Sequence, residues 1–166
     1  KRELCCLVGI EKKTLLHTEH VKKVVLHQGP YTRKVIAEYM QERRLHALKK
    51  ISTPMKPHFD KQDKEDDKKP GELAGTCREH GGKLLWLTRG VRADAACAVG
   101  KISRRYEDWS VLCDNALDRI YRYLNYTADL GLCYEVDFRD REANLLILMQ
   151  DFDADHAGSH DSTKST

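Results

Sequence analysis

The fold is decided by residues 82–134, GKLLWLTRGVRADAACAVGKISRRYEDWSVLCDNALDRIYRYLNYTADLGLCY. At 91–102, small and apolar residues recur with helical spacing, which predicts a helix whose small face packs closely. A second helical pattern covers approximately 110–124. Gly131 ends this pattern, and 132–136 predicts a short strand. The stretch therefore predicts paired helices followed by a strand.

The residues that precede this stretch predict a hairpin and a helix. Short apolar runs at 4–10 and 21–27 are typical of strands, and the charged pair Lys12 and Lys13 is placed to turn one into the other. Apolar residues at helical spacing then predict a helix over 31–48. The N-terminal part is therefore expected to be a β-hairpin followed by a helix.

A charged run, KPHFDKQDKEDDKKP, occupies 56–70. It contains a single aromatic residue, so it buries too little apolar area to offset the entropy of ordering, and it predicts a loop or flexible linker. A helix is predicted over 78–87, although its two adjacent glycines cost about 1 kcal/mol each. The apolar run at 144–150 is typical of a strand at the centre of a sheet.

Together these patterns predict an α+β fold in four consecutive parts. A basic hairpin-helix unit covers 1–55, a charged flexible linker covers 56–77, a helical unit covers 78–130, and strands with a frayed tail cover 131–166. The C-terminal part is expected to be a hairpin that leads into the edge of a sheet.

The chain has 166 residues with 29 Lys and Arg against 26 Asp and Glu, but its positive charge is concentrated near the N-terminus. The first 57 residues hold 13 basic and 5 acidic residues. A basic region of this kind suits phosphate contacts that are independent of nucleic-acid sequence and weaken with salt. The alternative is a solvated helix face. The predicted nucleic-acid-binding residues are the basic doublets Lys12, Lys13, Lys22, Lys23, Arg33, Lys34, Arg43, Arg44, Lys49 and Lys50.

The cysteines and the apolar runs bound the class of protein. Six cysteines show no paired metal-ligand spacing, and no signal-peptide core follows the basic opening. No apolar run approaches the roughly 20 residues that cross a bilayer. We therefore expect reduced thiols in an intracellular protein that is not secreted and does not span a membrane.

Acidic residues alternate directly after the apolar run at 144–150. Asp151, Asp153 and Asp155 would project to one face in strand geometry. Clustered carboxylates at a strand end are what a nuclease needs to hold divalent metal ions against phosphate. An acidic strand end that merely caps a sheet is the alternative.

Short motifs occur along nearly the whole chain in a fixed order. They are Leu7-Val8-Gly9-Ile10-Glu11, His27-Gln28 with Tyr31, Thr53-Pro54-Met55, Leu84-Leu85-Trp86-Leu87-Thr88-Arg89, Arg92-Ala93-Asp94, Ile102-Ser103-Arg104, Arg122-Tyr123-Leu124 with Thr127, Gly131-Leu132, and Asp153-Ala154-Asp155-His156-Ala157-Gly158 with Lys164-Ser165-Thr166. In this order they resemble copia-type retrotransposon polyproteins, from the end of the reverse transcriptase, its thumb and connection, to the start of the ribonuclease H domain.

The resemblance implies the parts of a copying enzyme without a complete active site. The catalytic aspartates of the polymerase precede the segment that Leu7 begins in this family. Asp153 corresponds to the first metal-binding aspartate of ribonuclease H, with Asp155 as a second candidate ligand, and the C-terminal strands would open an incomplete ribonuclease H-like sheet. The resemblance thus implies an unpaired sheet edge, which we expect other protein chains or an oligomer contact to cover. Mg²⁺ would bind only if further residues complete the site, and no other cofactor is implied. We expect neither polymerisation nor hydrolysis from the chain alone.

Two classes of function follow. In the first, a non-catalytic fragment holds an RNA–DNA hybrid or primer–template through its basic N-terminal third. In the second, a retroelement-derived segment is a structural or interaction subunit that packs against other proteins and has no nucleic-acid role. Ala93 and His156 stand where the family usually has proline and an aromatic residue, which favours a decayed or repurposed element. A third alternative is an active enzyme in which another chain supplies the missing carboxylates.

Overall fold

The computed structural model describes residues 9–57, 59 and 65–139. Within these residues, four α-helices and a three-stranded antiparallel sheet form a mixed α+β fold, as predicted. The predicted strand at 144–150 and the predicted metal ligands Asp153 and Asp155 lie outside the described residues. None of the helices in the described part of the chain has both the length and the apolar character needed to cross a bilayer.

The chain runs from the sheet into the helices and back to the sheet. The elements in chain order are β1 at Glu11–His17, β2 at Val21–His27, α1 at Gly29–Glu42, α2 at Cys77–Gly90, α3 at Ala96–Ser103, α4 at Val111–Tyr126 and β3 at Gly131–Asp137. Strand β2 lies in the centre and pairs antiparallel with β1 on one side and β3 on the other. The strand that ends the helical region therefore returns to the N-terminal hairpin.

The N-terminal hairpin turns later in the chain than the sequence predicted. Lys12 and Lys13 lie inside β1, where both pair with β2, so the predicted turn at these residues is wrong. The turn instead follows β1 at Thr18, whose backbone N–H donates to the carbonyl of Val21 at 2.9 Å. The Thr18 hydroxyl accepts from the N–H of Val21 at 3.0 Å. A short hydroxyl side chain can satisfy turn backbone in this way and a lysine cannot.

Helix α1 ends six residues before the predicted residue 48. After Glu42 the chain enters the left-handed region at Arg44, where φ is 52°. The backbone N–H of Leu45 then donates to the carbonyl of Met40 at 2.8 Å. This is the hydrogen bond of a Schellman motif, which ends a helix and satisfies its last carbonyls. Glycine usually occupies the left-handed position, so an arginine there gave the sequence no stop signal.

The predicted strand at 4–10 lies almost entirely outside the described residues, and the other predicted elements within these residues agree with the structure. The predicted helix at 78–87 falls within α2, the one at 110–124 corresponds to α4, and the predicted strand at 132–136 falls within β3. The pattern at 91–102 divides into a 3₁₀ turn at Ala93–Ala95 and helix α3. Periodicity therefore located each of these elements to within a few residues.

The core lies among the four helices. Helix α1 packs against α4, α2 packs against α3, and α3 packs against α4. The rings of Tyr39 and Tyr121 are stacked with their centroids 4.0 Å apart, and Leu84, Ile102 and Leu117 expose 0% of their surface. Burying one such side chain contributes about 1.5–3 kcal/mol, so these helices hold most of the fold's hydrophobic stabilisation.

Part of the predicted linker at 56–77 packs against the helices. Phe59, the only aromatic residue of the charged run, is buried, as is Leu73. Asp67 accepts a hydrogen bond from the hydroxyl of Ser110 at 3.0 Å and forms an ion pair with Arg105. The four predicted domain boundaries stay predictions, because the segments at 60–64 and beyond 139 lie outside the described residues.

Candidate nucleic-acid interface

The ten basic residues predicted to bind nucleic acid do not form one group. The four lysines of the first two doublets lie in β1 and β2, and Arg33 and Lys34 lie in the first half of α1. The remaining two doublets follow the end of α1. The structure therefore divides these residues between the sheet, the start of α1 and the segment after α1.

Several of these cations have partners within the protein. Lys23 forms an ion pair with Glu135 at 2.8 Å, and the hydrogen bond that its ammonium donates to this carboxylate raises the pKa of Lys23. Arg33 forms an ion pair with Asp129 at 2.7 Å. Further partners are Glu38 for Lys34, Glu72 for Arg43, and the ring of Tyr126 for Lys50. Neutralised cations attract phosphate less strongly, so charge alone does not locate an interface.

Strand geometry divides each lysine doublet of the sheet between two faces. Neighbouring residues in a strand point to opposite faces, and residues opposite each other on paired strands share a face. Lys12 and Lys22 therefore lie on one face, and Lys13 and Lys23 lie on the other. The register assigns the following residues to the first face, which we call the cationic face: Lys12, Thr14, His17, Lys22, Val24, Leu26, Leu132, Tyr134 and Val136.

The two faces differ in charge. The three strands contain three acidic residues, which are Glu11, Glu135 and Asp137. All three lie on the face opposite to that of Lys22. The cationic face thus carries two lysines and a histidine without any carboxylate from the three strands. On the other face, two lysines stand against three carboxylates. Sorting of charge by face makes the cationic face the more attractive surface for an anion.

The cationic face also carries exposed aromatic and apolar side chains. Tyr134 and Val136 each expose 50% of their surface, and Leu132 exposes 37%. At one end of the face, the ring of His17 packs against that of Phe138 with their centroids 6.3 Å apart. Cations beside exposed aromatic rings on a flat surface are the groups with which proteins hold phosphates and stack bases.

Sequence reasoning did not single out Tyr134 or the ring of His17 as part of an interface. The period-two pattern of β3 was a usable signal, because it places Leu132, Tyr134 and Val136 on one side of the strand. What the pattern did not show is that β3 pairs with β2, which brings Tyr134 opposite Val24 and beside Lys22. The interface depends on this long-range pairing.

The two tryptophans differ in their access to a ligand. Trp109 is buried, and its indole N–H donates to Asp114 at 2.6 Å. The carboxylate of Asp114 also accepts from the backbone N–H of Glu72 at 2.6 Å. Trp109 therefore belongs to the core, whereas Trp86 on α2 exposes 43% of its surface.

The Arg-Ala-Asp motif forms a buried ion pair. The guanidinium of Arg92, which is 1% exposed, donates twice to Asp94 at 3.0 and 2.8 Å. It also donates to the carbonyl of Thr127 at 2.9 Å, just after the end of α4. Burial raises the pKa of Asp94, but the hydrogen bonds from Arg92 and Tyr123 outweigh this and hold it below its ordinary value. The motif thus joins the start of α3 to the end of α4.

A second polar cluster is enclosed where α1, α2 and α4 meet. Nδ1 of His80 lies 2.8 Å from the hydroxyl of Tyr121, and Nε2 lies 3.0 Å from the carboxylate of Glu42. Burial lowers the pKa of His80, although Glu42 acts in the opposite direction. His80 is 2% exposed and Tyr121 0%, so a substrate does not reach them. Their contacts join α1, α2 and α4.

A groove of about 390 Å³ lies beside α4, with Phe59 in its lining. Two arginines of α4 contribute to it. Arg119 donates to the hydroxyl of Thr53 at 2.7 Å, and Arg122 lies 2.6 Å from the carboxylate of Asp118. Because both guanidinium groups have partners inside the protein, we assign no ligand to this groove.

The predicted catalytic residue Asp153 and the predicted metal ligands Asp153 and Asp155 stay predictions, since they lie outside the described residues. Within 9–57, 59 and 65–139, no group of three or more His, Cys, Asp or Glu side chains is placed to hold a metal ion. Comparison with known proteins adds no assignment: the chain matches no protein-family model, no curated protein and no solved structure.

Proposed function

We propose that this chain is a non-catalytic part of a copia-like reverse transcriptase and ribonuclease H polyprotein, and that it holds an RNA–DNA hybrid or primer–template. The observation that carries the proposal is the sorting of charge on the sheet. Lys12, Lys22 and His17 share a face to which the three strands contribute no carboxylate. The order of the sequence motifs supports the family assignment, and the cationic face supports the nucleic-acid role.

The chemistry of this face suits the backbone of a nucleic acid. Lysine binds phosphate as a compact point charge without reading base sequence, and each phosphate contact releases condensed counterions. Lys22 has no carboxylate partner on the three strands, whereas its neighbour Lys23 is neutralised by Glu135. Lys22 should therefore contribute more to binding than Lys23, although the two are adjacent in sequence.

The test compares Lys22→Gln with Lys23→Gln in the full chain. Binding of a fluorescently labelled RNA–DNA hybrid is followed by anisotropy between about 50 and 200 mM salt. We expect Lys22→Gln to weaken binding and to reduce the slope of log K against log salt by about 1, the value for one lost phosphate contact. Lys23→Gln is the matched control and should leave the slope close to that of the parent protein.

Two results would contradict the proposal. If the parent protein binds neither the hybrid nor a primer–template with an unpaired overhang, even at low salt, the nucleic-acid role fails. The second class of function, a subunit that packs against other proteins, is then favoured, since Leu132, Tyr134 and Val136 offer an apolar surface on the same face. If both glutamine variants lower the slope equally, binding occurs without distinction between the faces, and the assignment to the cationic face fails.

A further inference from the structure

Tyr134 occupies the middle of the cationic face. It lies at the centre of β3, opposite Val24 on β2, and it is half exposed. On its own strand, Leu132 and Val136 flank it on the same face. The ring therefore has apolar neighbours on three sides, and the ammonium group of Lys22 belongs to the adjoining pair of residues on this face.

We infer that the cationic face binds unpaired nucleotides, with a base stacked on Tyr134 and the neighbouring phosphates held by Lys22. This inference rests on the proposed function and deepens it by naming the form of nucleic acid. It commits the face to a single strand, either free or as an unpaired end of a hybrid. A blunt duplex and another protein are the competing occupants.

A duplex and a single strand offer different surfaces to a protein. In a duplex the faces of the bases are covered by their stacked neighbours, so a protein meets phosphates, sugars and base edges. The exposed apolar area of Leu132, Tyr134 and Val136 then gains little from contact with a duplex. An unpaired base offers a bare aromatic face, and stacking on a protein ring tolerates any base sequence. The combination of an exposed ring, apolar neighbours and the ammonium group of Lys22 therefore fits a single strand better.

Charge complementarity supports the same occupant. The carboxylates Glu11, Glu135 and Asp137 belong to the other face, so a phosphate backbone on the cationic face avoids repulsion from the strands. A protein segment that covered the face would have to bury Lys22 beside its apolar neighbours or provide a carboxylate for it. A nucleic-acid strand provides phosphates for Lys22 and aromatic bases for its apolar neighbours.

The experiment measures binding of three labelled probes to the full chain by anisotropy. The probes are a single strand of about 12 nucleotides, a blunt RNA–DNA hybrid of the same sequence, and that hybrid with an unpaired overhang. The variant is Tyr134→Val, which removes the ring but keeps a β-branched residue that suits a strand. Trp86→Leu is the matched control, because Trp86 is also an exposed aromatic residue, at 43%, but lies on α2. Tyr134→Phe keeps the ring and should retain binding.

We expect Tyr134→Val to weaken binding of the single strand and of the overhang probe about tenfold, the effect of one lost base–aromatic stack, and to leave the blunt hybrid unchanged. Trp86→Leu should change none of the three. Unchanged single-strand binding in Tyr134→Val, or equal losses for all probes, overturns the inference. If the parent binds the blunt hybrid but not the single strand, the inference fails and the proposed function stands. If it binds no probe, both fail and the face is left to a protein partner.

Discussion

The helices and the sheet of this protein place their apolar side chains in opposite ways. In the helices, Leu84, Ile120 and Leu124 expose 1% of their surface or less. In the sheet, no side chain of β2 is fully buried although β2 is the central strand, and most of β3 is exposed. Leucine, valine and tyrosine occur in both regions, so residue type alone does not determine which of these side chains are buried. The difference separates residues that hold the fold from residues that are available to a partner.

The polar residues repeat this difference. Arg92 and His80 are almost fully buried and contact groups on other helices. Lys22 and Tyr134 lie on the sheet, where removing a side chain leaves the helical core intact. Substitutions in the two regions should therefore fall into two classes, one that changes stability and one that changes binding.

The largest expected effect is a difference in the free energy of unfolding between two leucine-to-alanine variants. Leu117→Ala opens a cavity among the helices and should lower the free energy of unfolding by about 2–5 kcal/mol. Leu132→Ala removes the same atoms from a residue that is already 37% exposed, so we expect a loss below about 1 kcal/mol. Urea unfolding of both variants measures the difference. Equal losses would mean that the cationic face is buried in the intact protein, and the contrast between the two regions would be lost.

The next effect concerns the buried ion pair. Arg92→Leu removes the guanidinium that donates to the carboxylate of Asp94 and to the carbonyl of Thr127, while Tyr123 still donates to Asp94. We expect a loss of about 3 kcal/mol, at the lower end of the range for breaking a buried pair, because Asp94 keeps 36% of its side chain exposed. Arg89→Leu, on the exposed end of α2, is the control and should stay within about 0.5 kcal/mol of the parent. A loss below 1 kcal/mol for Arg92→Leu would show that the pair is not needed to join α3 to α4.

These two regions also differ in how far the sequence predicts them. Helical periodicity predicted α2 and α4 because each helix buries one stripe of its own residues, which is local information. The end of α1 was predicted six residues too far along the chain. Arg44 has the left-handed conformation that follows the helix, and a glycine at this position would have indicated the end. The hairpin turn was misplaced because two lysines resemble a turn, although alternation allows them in an exposed strand.

The candidate interface was less predictable than the fold. The basic doublets were visible in the sequence, but their division between two faces depends on the register of β1 with β2. The place of Tyr134 depends on β3 pairing with β2, which joins residues more than a hundred positions apart. In the sequence, Arg92 and Tyr123 stood out only as members of motifs. Their hydrogen bonds to Asp94 give the physical reason for the spacing.

A smaller effect is the pH dependence that His80 gives to the helices. Burial lowers the pKa of His80 in the folded protein, while the unfolded chain takes up its proton near pH 6.5. Stability from this group is therefore complete above pH 6.5 and is lost as the pH falls toward the folded pKa. We expect the free energy of unfolding to be lower at about pH 5.5 than at about pH 7.5.

The variant His80→Gln isolates that contribution. Because glutamine does not titrate, the variant should lose less stability than the parent between the two pH values. His20→Gln is the control, since His20 is exposed in the hairpin turn. If His80→Gln keeps the full pH difference of the parent, another group causes it. The residues of the sheet should contribute little to this pH dependence in either case.

The smallest expected effect lies within a single turn of α2, where two adjacent glycines differ in their surroundings. A Cβ on Gly82 would meet nothing within 4 Å, so Gly82→Ala should stabilise the protein by about 1 kcal/mol through helix propensity. A Cβ on Gly81 would clash with the hydroxyl of Tyr106, which is hydrogen-bonded to Ser103 at 2.9 Å. Gly81→Ala must displace that ring, so we expect it to destabilise the protein despite the same gain in propensity. If the urea midpoint rises for both variants, α2 and the segment after α3 pack less closely than the contact with Tyr106 requires. The four helices would then be less rigid than their buried leucines imply.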